Sequence, residues 1–206
     1  MGKMIRNIVF DMGNVLVRFD PGMFMTREGI IDPQDRQTVT RELFQSVEWA
    51  QMDMGILNED TLEPLVLPRV PERLREKVKH LLHNWAVPRE MMPGMEDLVR
   101  RLKKAGYGIY LLSNASSSQP DYWNPMPVSE CFNGTMISAF VKTVKPNPTI
   151  YRLFTEEFGL REEECVFIDD APINVAGAVA CGWRGIVFHG DEEELEEKLT
   201  QLGVKL

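Results

Sequence analysis

The sequence predicts an α/β protein, a parallel sheet flanked by helices and interrupted by a helical insertion. Two patterns carry that expectation. Short β-branched or aromatic runs alternate with amphipathic stretches through the second half of the chain, as helices crossing between parallel strands require. Between about Val17 and Trp85 the alternation stops and helical stretches succeed one another. A length of 206 residues allows a substantial core without disulfides or a structural metal.

Ile5 to Asp11 reads as a buried strand that ends in the loop Met12-Gly13-Asn14. Glu96 to Ala105 is a helix stopped by Gly106, and Gly108 to Ser113 is the next buried strand. Asn147 to Phe158 carries Ile150, Leu153, Phe154 and Phe158 at helical spacing, with Pro148 near its start and Gly159 at its end. Cys165 to Asp169 is a further strand, Asn174 to Cys181 a small-residue helix, and Arg184 to His189 one more strand before an acidic carboxy-terminal helix. Within the insertion, Gln34 to Val47, Glu59 to Leu67 and Pro71 to Trp85 read as helices, and Ala115 to Asn133 reads as a loop. An insertion directly after the first strand sits above the carboxyl ends of the sheet, where open α/β folds place their ligands.

The 31 acidic and 23 basic residues leave a formal charge of −8, which repels nucleic acid and anionic membranes alike. Cys131, Cys165 and Cys181 are widely spaced and odd in number, fitting neither a disulfide framework nor a zinc clip and pointing to a reducing cytoplasm. The apolar run before Asp11 is too short for a signal-peptide core or a spanning helix.

Candidate chemistry falls at predicted strand ends: Asp11, the pair Ser113-Asn114, and the pair Asp169-Asp170, with Lys145 in a loop before Pro146. Strand ends of a parallel sheet share one edge, so an aspartate, a hydroxyl, an ammonium and an acidic pair converge although far apart in sequence. Singly, each has an ordinary explanation as a turn or helix cap. His80 and His83 have metal-compatible spacing on a helix but no third ligand in view, and read as a solvated face. Arg18, Phe19 and Asp20 are equally hinge packing or substrate contacts, and Asp121, Tyr122 and Trp123 either enclose a ligand or belong to a surface loop.

Taken in order, Phe10 to Val17 (FDMGNVLV), Leu112-Ser113-Asn114, Lys145-Pro146 and Phe167 to Asn174 (FIDDAPIN), continuing into Ala176-Gly177-Ala178, resemble the motifs of the haloacid dehalogenase superfamily, most of whose members are Mg²⁺-dependent phosphatases. Gly55 to Asp60 resembles a signature of the small helical cap found there, and the DxGNV form of the first motif is similar to a subgroup that includes bacterial sugar-1-phosphate phosphatases. The resemblance implies a Rossmann-like core over residues 1–16 and 87–206 with a helical cap over 17–86. It implies that Asp11 attacks phosphorus to form an aspartyl-phosphate, that Ser113 donates to a phosphoryl oxygen, and that Lys145 neutralises charge and keeps Asp11 ionised. Gly13, Asn14, Ser113, Asn114 and Lys145 would contact the substrate, a small phosphorylated metabolite. Mg²⁺ would be held by Asp11, the Gly13 carbonyl and the acidic pair. The motif pattern favours Asp170 as the direct ligand and Asp169 as its support, with Asn174 where many relatives carry a second carboxylate.

One departure stands out. Most phosphatases of the superfamily carry a second aspartate two residues after the nucleophile, where this chain has Gly13. General acid–base help is worth about 10² to 10⁴ in rate. An unassisted site therefore favours sugar-1-phosphates, aryl phosphates and acyl phosphates over alkyl phosphates. Two other readings stay open: a phosphometabolite-binding or regulatory protein with little turnover, and a haloacid dehalogenase using Asp11, a branch that usually lacks the acidic pair. The expected assembly is a monomer or homodimer.

Overall fold

The computed structural model describes residues 4–86 and 89–206. Strand β1 (Asn7–Phe10) leads into helices α1 (Pro21–Arg27), α2 (Pro33–Val39), α3 (Val47–Asp53), α4 (Glu59–Val66) and α5 (Arg75–Asn84). The chain continues with α6 (Met95–Lys104), β2 (Gly108–Ser113), α7 (Gln119–Trp123), β3 (Gly134–Ile137), α8 (Ser138–Val141) and α9 (Pro148–Phe158). It closes with β4 (Cys165–Asp169), α10 (Pro172–Ala180), β5 (Arg184–Val187) and α11 (Glu192–Gln201). The sheet is parallel throughout, in the order β3-β2-β1-β4-β5.

Strand side chains alternate between faces, and here both faces are covered, which is why β1 reads as an unbroken apolar run. Ile8 and Phe10 pack with Leu98, Val99 and Leu102 of α6 and Leu195 and Leu199 of α11. Val9 points the other way, into Ile150, Tyr151 and Phe154 of α9 and Ala178 of α10. β4 repeats the division, with Val166 and Ile168 on the first side and Phe167 on the second. Because β1 lies between β2 and β4, the three strand ends carrying Asp11, Ser113 and Asp169 are neighbours.

Helices α1 to α5 surround a cluster of their own that includes Phe24, Leu43, Met52, Leu62, Val78 and Leu81. The expected helix Gln34 to Val47 is instead broken. α2 stops at Val39, a wider turn spans Thr40–Phe44, and α3 starts afresh. Ser46 causes the break: its hydroxyl donates to Leu43 O at 2.7 Å and accepts from Trp49 N at 3.1 Å, ending one helix and capping the next. The expected loop from Ala115 to Asn133 contains α7 and a 3₁₀ turn over Pro127–Cys131, and it leads into β3, an edge strand too short to show a periodic signal.

The helical segment joins the core through two chain passages lying side by side. Arg18 N donates to Glu90 O, and Met92 N to Leu16 O, both at 2.8 Å. Its far tip is docked as well. Gly55 has φ +66°, and a Cβ there would lie 2.1 Å from Ala139 O, so only glycine lets the tip approach this closely. Glu59 accepts from Ser116 Oγ at 2.7 Å and Ser118 Oγ at 2.6 Å, while the Lys142 ammonium donates to Gly55 O. Among the described residues no helix is long and apolar enough to cross a membrane.

Candidate active site

Asp11 is the first residue past β1, and its N–H still donates to Ile168 O at 2.8 Å, so the sheet ladder fixes its backbone. Its carboxylate accepts from Lys145 Nζ at 2.7 Å. The same ammonium donates to Asp169 Oδ2 at 2.7 Å and Leu112 O at 3.0 Å, and the lysine side chain is almost wholly buried. Asn114 clamps the lysine backbone on both sides: Oδ1 accepts from Lys145 N at 2.8 Å, and Nδ2 donates to Lys145 O at 3.1 Å. From behind, α10 comes so close that a Cβ on Gly177 would stand 2.9 Å from Pro146 O.

The two acidic neighbours differ. Asp169 is fully buried; Oδ1 accepts from Ala171 N at 2.8 Å, and Asn174 Nδ2 reaches both of its oxygens at 3.1 Å. Asp170 is partly exposed, lines the cavity, and accepts a long 3.3 Å contact from Asn14 Nδ2. Asn14 adopts φ +55°, a conformation asparagine tolerates, and is held there by Phe19 N donating to its Oδ1 at 3.0 Å.

Burial pushes the Asp11 carboxyl above the ordinary range; Lys145 opposes this and the Asp169 charge adds to it. Asp170 is raised as well, chiefly by burial, with the Asn14 contact opposing. Burial disfavours charge on Lys145, but Asp11 and Asp169 outweigh it and hold the ammonium above its usual value. One ammonium therefore faces three carboxylates. Ligand oxygens of Asp11, Asp169 and Asp170 lie within 4.8 Å of one another. An all-oxygen set with surplus negative charge fits a hard divalent cation such as Mg²⁺.

A cavity of about 240 Å³ opens in front of these groups, lined by Asp11, Gly13, Asn14, Ser113, Asn114 and Asp170 from the core. Each predicted site residue thus lies at the cavity except Lys145 and Asp169, which stand behind Asp11. The Asn114 side chain is committed to Lys145. The opposite wall carries Met52 together with Phe19 and Tyr122, the two residues that the sequence leaves open between ligand contact and packing. It adds Trp49, Asp53, Trp85, Arg89 and Gln119. The Arg89 guanidinium stacks 3.5 Å from the Tyr122 ring centre and 4.8 Å from that of Trp85. Its Nε and Nη2 have no partner among the described residues, and burial lowers its pKa to about 10. Gln119 Oε1 is likewise unpartnered. Asp20 caps α1, Arg18 pairs with Glu90, and Trp123 is buried in the core. His80 and His83 pair with Glu28 and Glu63, away from the cavity.

The chain belongs to the haloacid dehalogenase-like hydrolase family, whose profile matches residues 5–182. It is 24% identical over 162 residues to a chloroplast flavin mononucleotide hydrolase from Arabidopsis thaliana, a match covering 77% of this chain but 63% of that one, less than two thirds of its length. It is 23% identical over 206 residues to the glyceraldehyde 3-phosphate phosphatase of Pyrococcus furiosus, covering 94% of this chain and 85% of the relative. Among solved structures, a haloacid dehalogenase family enzyme from Bacteroides thetaiotaomicron in complex with magnesium and inorganic phosphate superposes with TM-score 0.71 at 22% identity, over 93% of this chain and 98% of that one. The L-2-haloacid dehalogenase of Xanthobacter autotrophicus superposes with TM-score 0.66 at 16% identity, over 98% and 85%. At these identities the superpositions establish the shared fold.

Proposed function

We propose that this chain is a Mg²⁺-dependent phosphomonoesterase that hydrolyses a small phosphorylated metabolite through an aspartyl-phosphate on Asp11, with residues 17–86 closing over the site as a cap. The supporting observation is the Lys145 ammonium held between Asp11 and Asp169 at the head of the central strand, with Asp170 left open beside them. Asp11, the Gly13 carbonyl and Asp170 would hold the metal, with Asp169 fixed behind by Asn174 and Lys145. When bound, Mg²⁺ supplies the positive charge that lets an anionic nucleophile meet an anionic phosphate.

The protein groups divide the remaining work. The ladder bond at Asp11 N and the lysine contact aim Asp11 Oδ at phosphorus, saving the entropy of orienting it. Ser113, buried at the end of β2 on the cavity wall, donates to a phosphoryl oxygen. Lys145 stays charged and offsets the negative charge that develops as the phosphoryl group transfers. The cavity suits a compact leaving group, and its aromatic wall of Phe19, Trp49, Trp85 and Tyr122 suits the flat face of a sugar or aryl ring. A sugar-1-phosphate meets both conditions, and two of the named relatives, the flavin mononucleotide hydrolase and the glyceraldehyde 3-phosphate phosphatase, act by name on phosphate esters.

The acidic pair weighs against dehalogenation, which needs no divalent cation to balance the three carboxylates that share one ammonium at the strand ends. The test is a panel of phosphate esters with Mg²⁺, assayed beside Asp11→Asn. The parent hydrolyses at least an aryl phosphate, and the variant loses turnover by roughly 10⁴-fold or more, the scale on which removal of a nucleophile acts. A variant that keeps a tenth of parental activity would end the proposal.

A further inference from the structure

Gly13 leaves a phosphatase without the carboxylic acid that protonates the departing oxygen. Sterics do not demand glycine there, because a Cβ would meet only Phe19 Cβ at an ordinary 3.6 Å. Three carboxyl groups line the cavity: Asp11, Asp170 and Asp53. The first is the nucleophile and the second faces the metal position, so Asp53 alone is uncommitted.

Its placement is well defined. Asp53 is the last residue of α3 and so approaches from the helical side, across the cavity from the sheet. Its main-chain carbonyl accepts from Ser138 Oγ at 2.5 Å, and two residues on Gly55 is locked against Ala139 O, so the backbone presenting the side chain is pinned to the core. Among the described residues nothing donates a hydrogen bond to its carboxylate. We infer that Asp53 is the general acid and base of this site, delivered by the cap in place of the missing core aspartate, and that it extends the substrate range to esters of poorly leaving alcohols.

The inference rests on the phosphomonoesterase reading above. As the bond from Asp11 Oδ to phosphorus forms, the ester P–O bond breaks and the Asp53 carboxyl proton passes to the departing oxygen, releasing the alcohol. The Asp53 carboxylate then takes a proton from water as its oxygen bonds to phosphorus, the Asp11–phosphorus bond breaks, and inorganic phosphate leaves with Asp53 protonated again. Lys145, Asp11 and Glu59 are the charged groups acting on it. Burial raises its carboxyl to about 7, with Lys145 opposing and the two acidic groups adding. An acid with that affinity for its proton is matched to neutral pH.

The experiment measures kcat/KM for a series of substituted phenyl phosphates of near-identical shape, from 4-nitrophenyl to phenyl phosphate, in the full chain with Mg²⁺. Asp53→Asn should lower the phenyl phosphate value by about 10² to 10³ and the 4-nitrophenyl value at least tenfold less, because nitrophenolate leaves readily unaided. It should also accumulate phosphoryl-Asp11, seen by rapid quench and mass measurement. Asp53→Glu keeps a carboxyl and should keep the parent's shallow dependence on leaving-group basicity. Equal losses across the series in Asp53→Asn, or a glutamate variant as steep as the asparagine one, overturn the assignment and leave the phosphatase reading standing. An inert parent overturns both.

Discussion

The two walls of the cavity are built on opposite principles. On the sheet side every charged group behind the surface is tied: Lys145 makes three hydrogen bonds, and Asp169 accepts from Lys145, Ala171 and Asn174. Facing it are buried polar atoms without partners among the described residues, Gln119 Oε1 and Arg89 Nε and Nη2, set among aromatic rings. A buried donor or acceptor left unmade costs about 1–3 kcal/mol. Such a cost is tolerable where a bound molecule supplies the partner. The contrast teaches that reactivity is organised in advance at the strand ends, while recognition is left unfinished on the facing wall.

Substitution at Lys145 tests the first half most severely. Lys145→Met keeps the bulk but strands two buried carboxylates without a counter-charge. In metal-free buffer we expect the unfolding free energy to fall by about 3–5 kcal/mol, the usual result of breaking a buried pair on one side, measured by urea denaturation. A loss under about 1 kcal/mol would show that the sheet wall is not held electrostatically.

At Arg89 the comparison predicts effects of opposite sign. Arg89→Met removes two unpartnered donors, so apo stability should hold or rise by up to about 1 kcal/mol. Binding should suffer instead: KM for aryl phosphates rises about tenfold, equivalent to about 1.4 kcal/mol, with kcat within roughly threefold, the pattern of lost uniform binding. Thermal melts and steady-state kinetics on one preparation decide it. If stability falls with KM unchanged, the guanidinium is a packing element.

The same contrast explains what could be read from the amino acids beforehand. Asp11, Ser113 and Asp169 were legible because each ends an apolar strand, and the sheet order then brings the three ends together. Within the acidic pair the motif pattern favours Asp170 over Asp169 as the direct ligand, and burial distinguishes the two: Asp169 inside, Asp170 at the cavity. Beyond Phe19 and Tyr122, the facing wall was illegible. Trp49 and Asp53 come from α3, Trp85 and Arg89 from the return passage, and Gln119 and Tyr122 from α7, an element hidden in an apparent loop. Their meeting depends on how the Gly55 tip docks, which no local pattern encodes. The Gly55 signature begins two residues past Asp53 and gives no sign of it. β3 and the break at Ser46 escaped for a simpler reason, since neither leaves a periodic trace.

The smallest expected effect lies on the outer face of the helical segment, where charge pairs are wet. Arg69 donates to Glu48 at 2.8 and 3.1 Å and lies 3.3 Å from Glu42, yet its side chain is 37% exposed. The hydrogen bonds from Arg69 hold the Glu48 carboxyl below the ordinary value, against the opposing effect of burial. A depressed carboxylate contributes stability above its unfolded pKa, and that stability is lost as pH falls through the folded value. Arg69→Ala should therefore cost no more than about 1 kcal/mol at pH 7, as solvent screening dictates. The gap between the two melting curves should close in acid, once Glu48 is protonated in both proteins, and kcat/KM should not change. A gap that persists undiminished at low pH would mean that the aliphatic stem of Arg69 stabilises by packing, making this outer pair more like the sheet wall than its exposure implies.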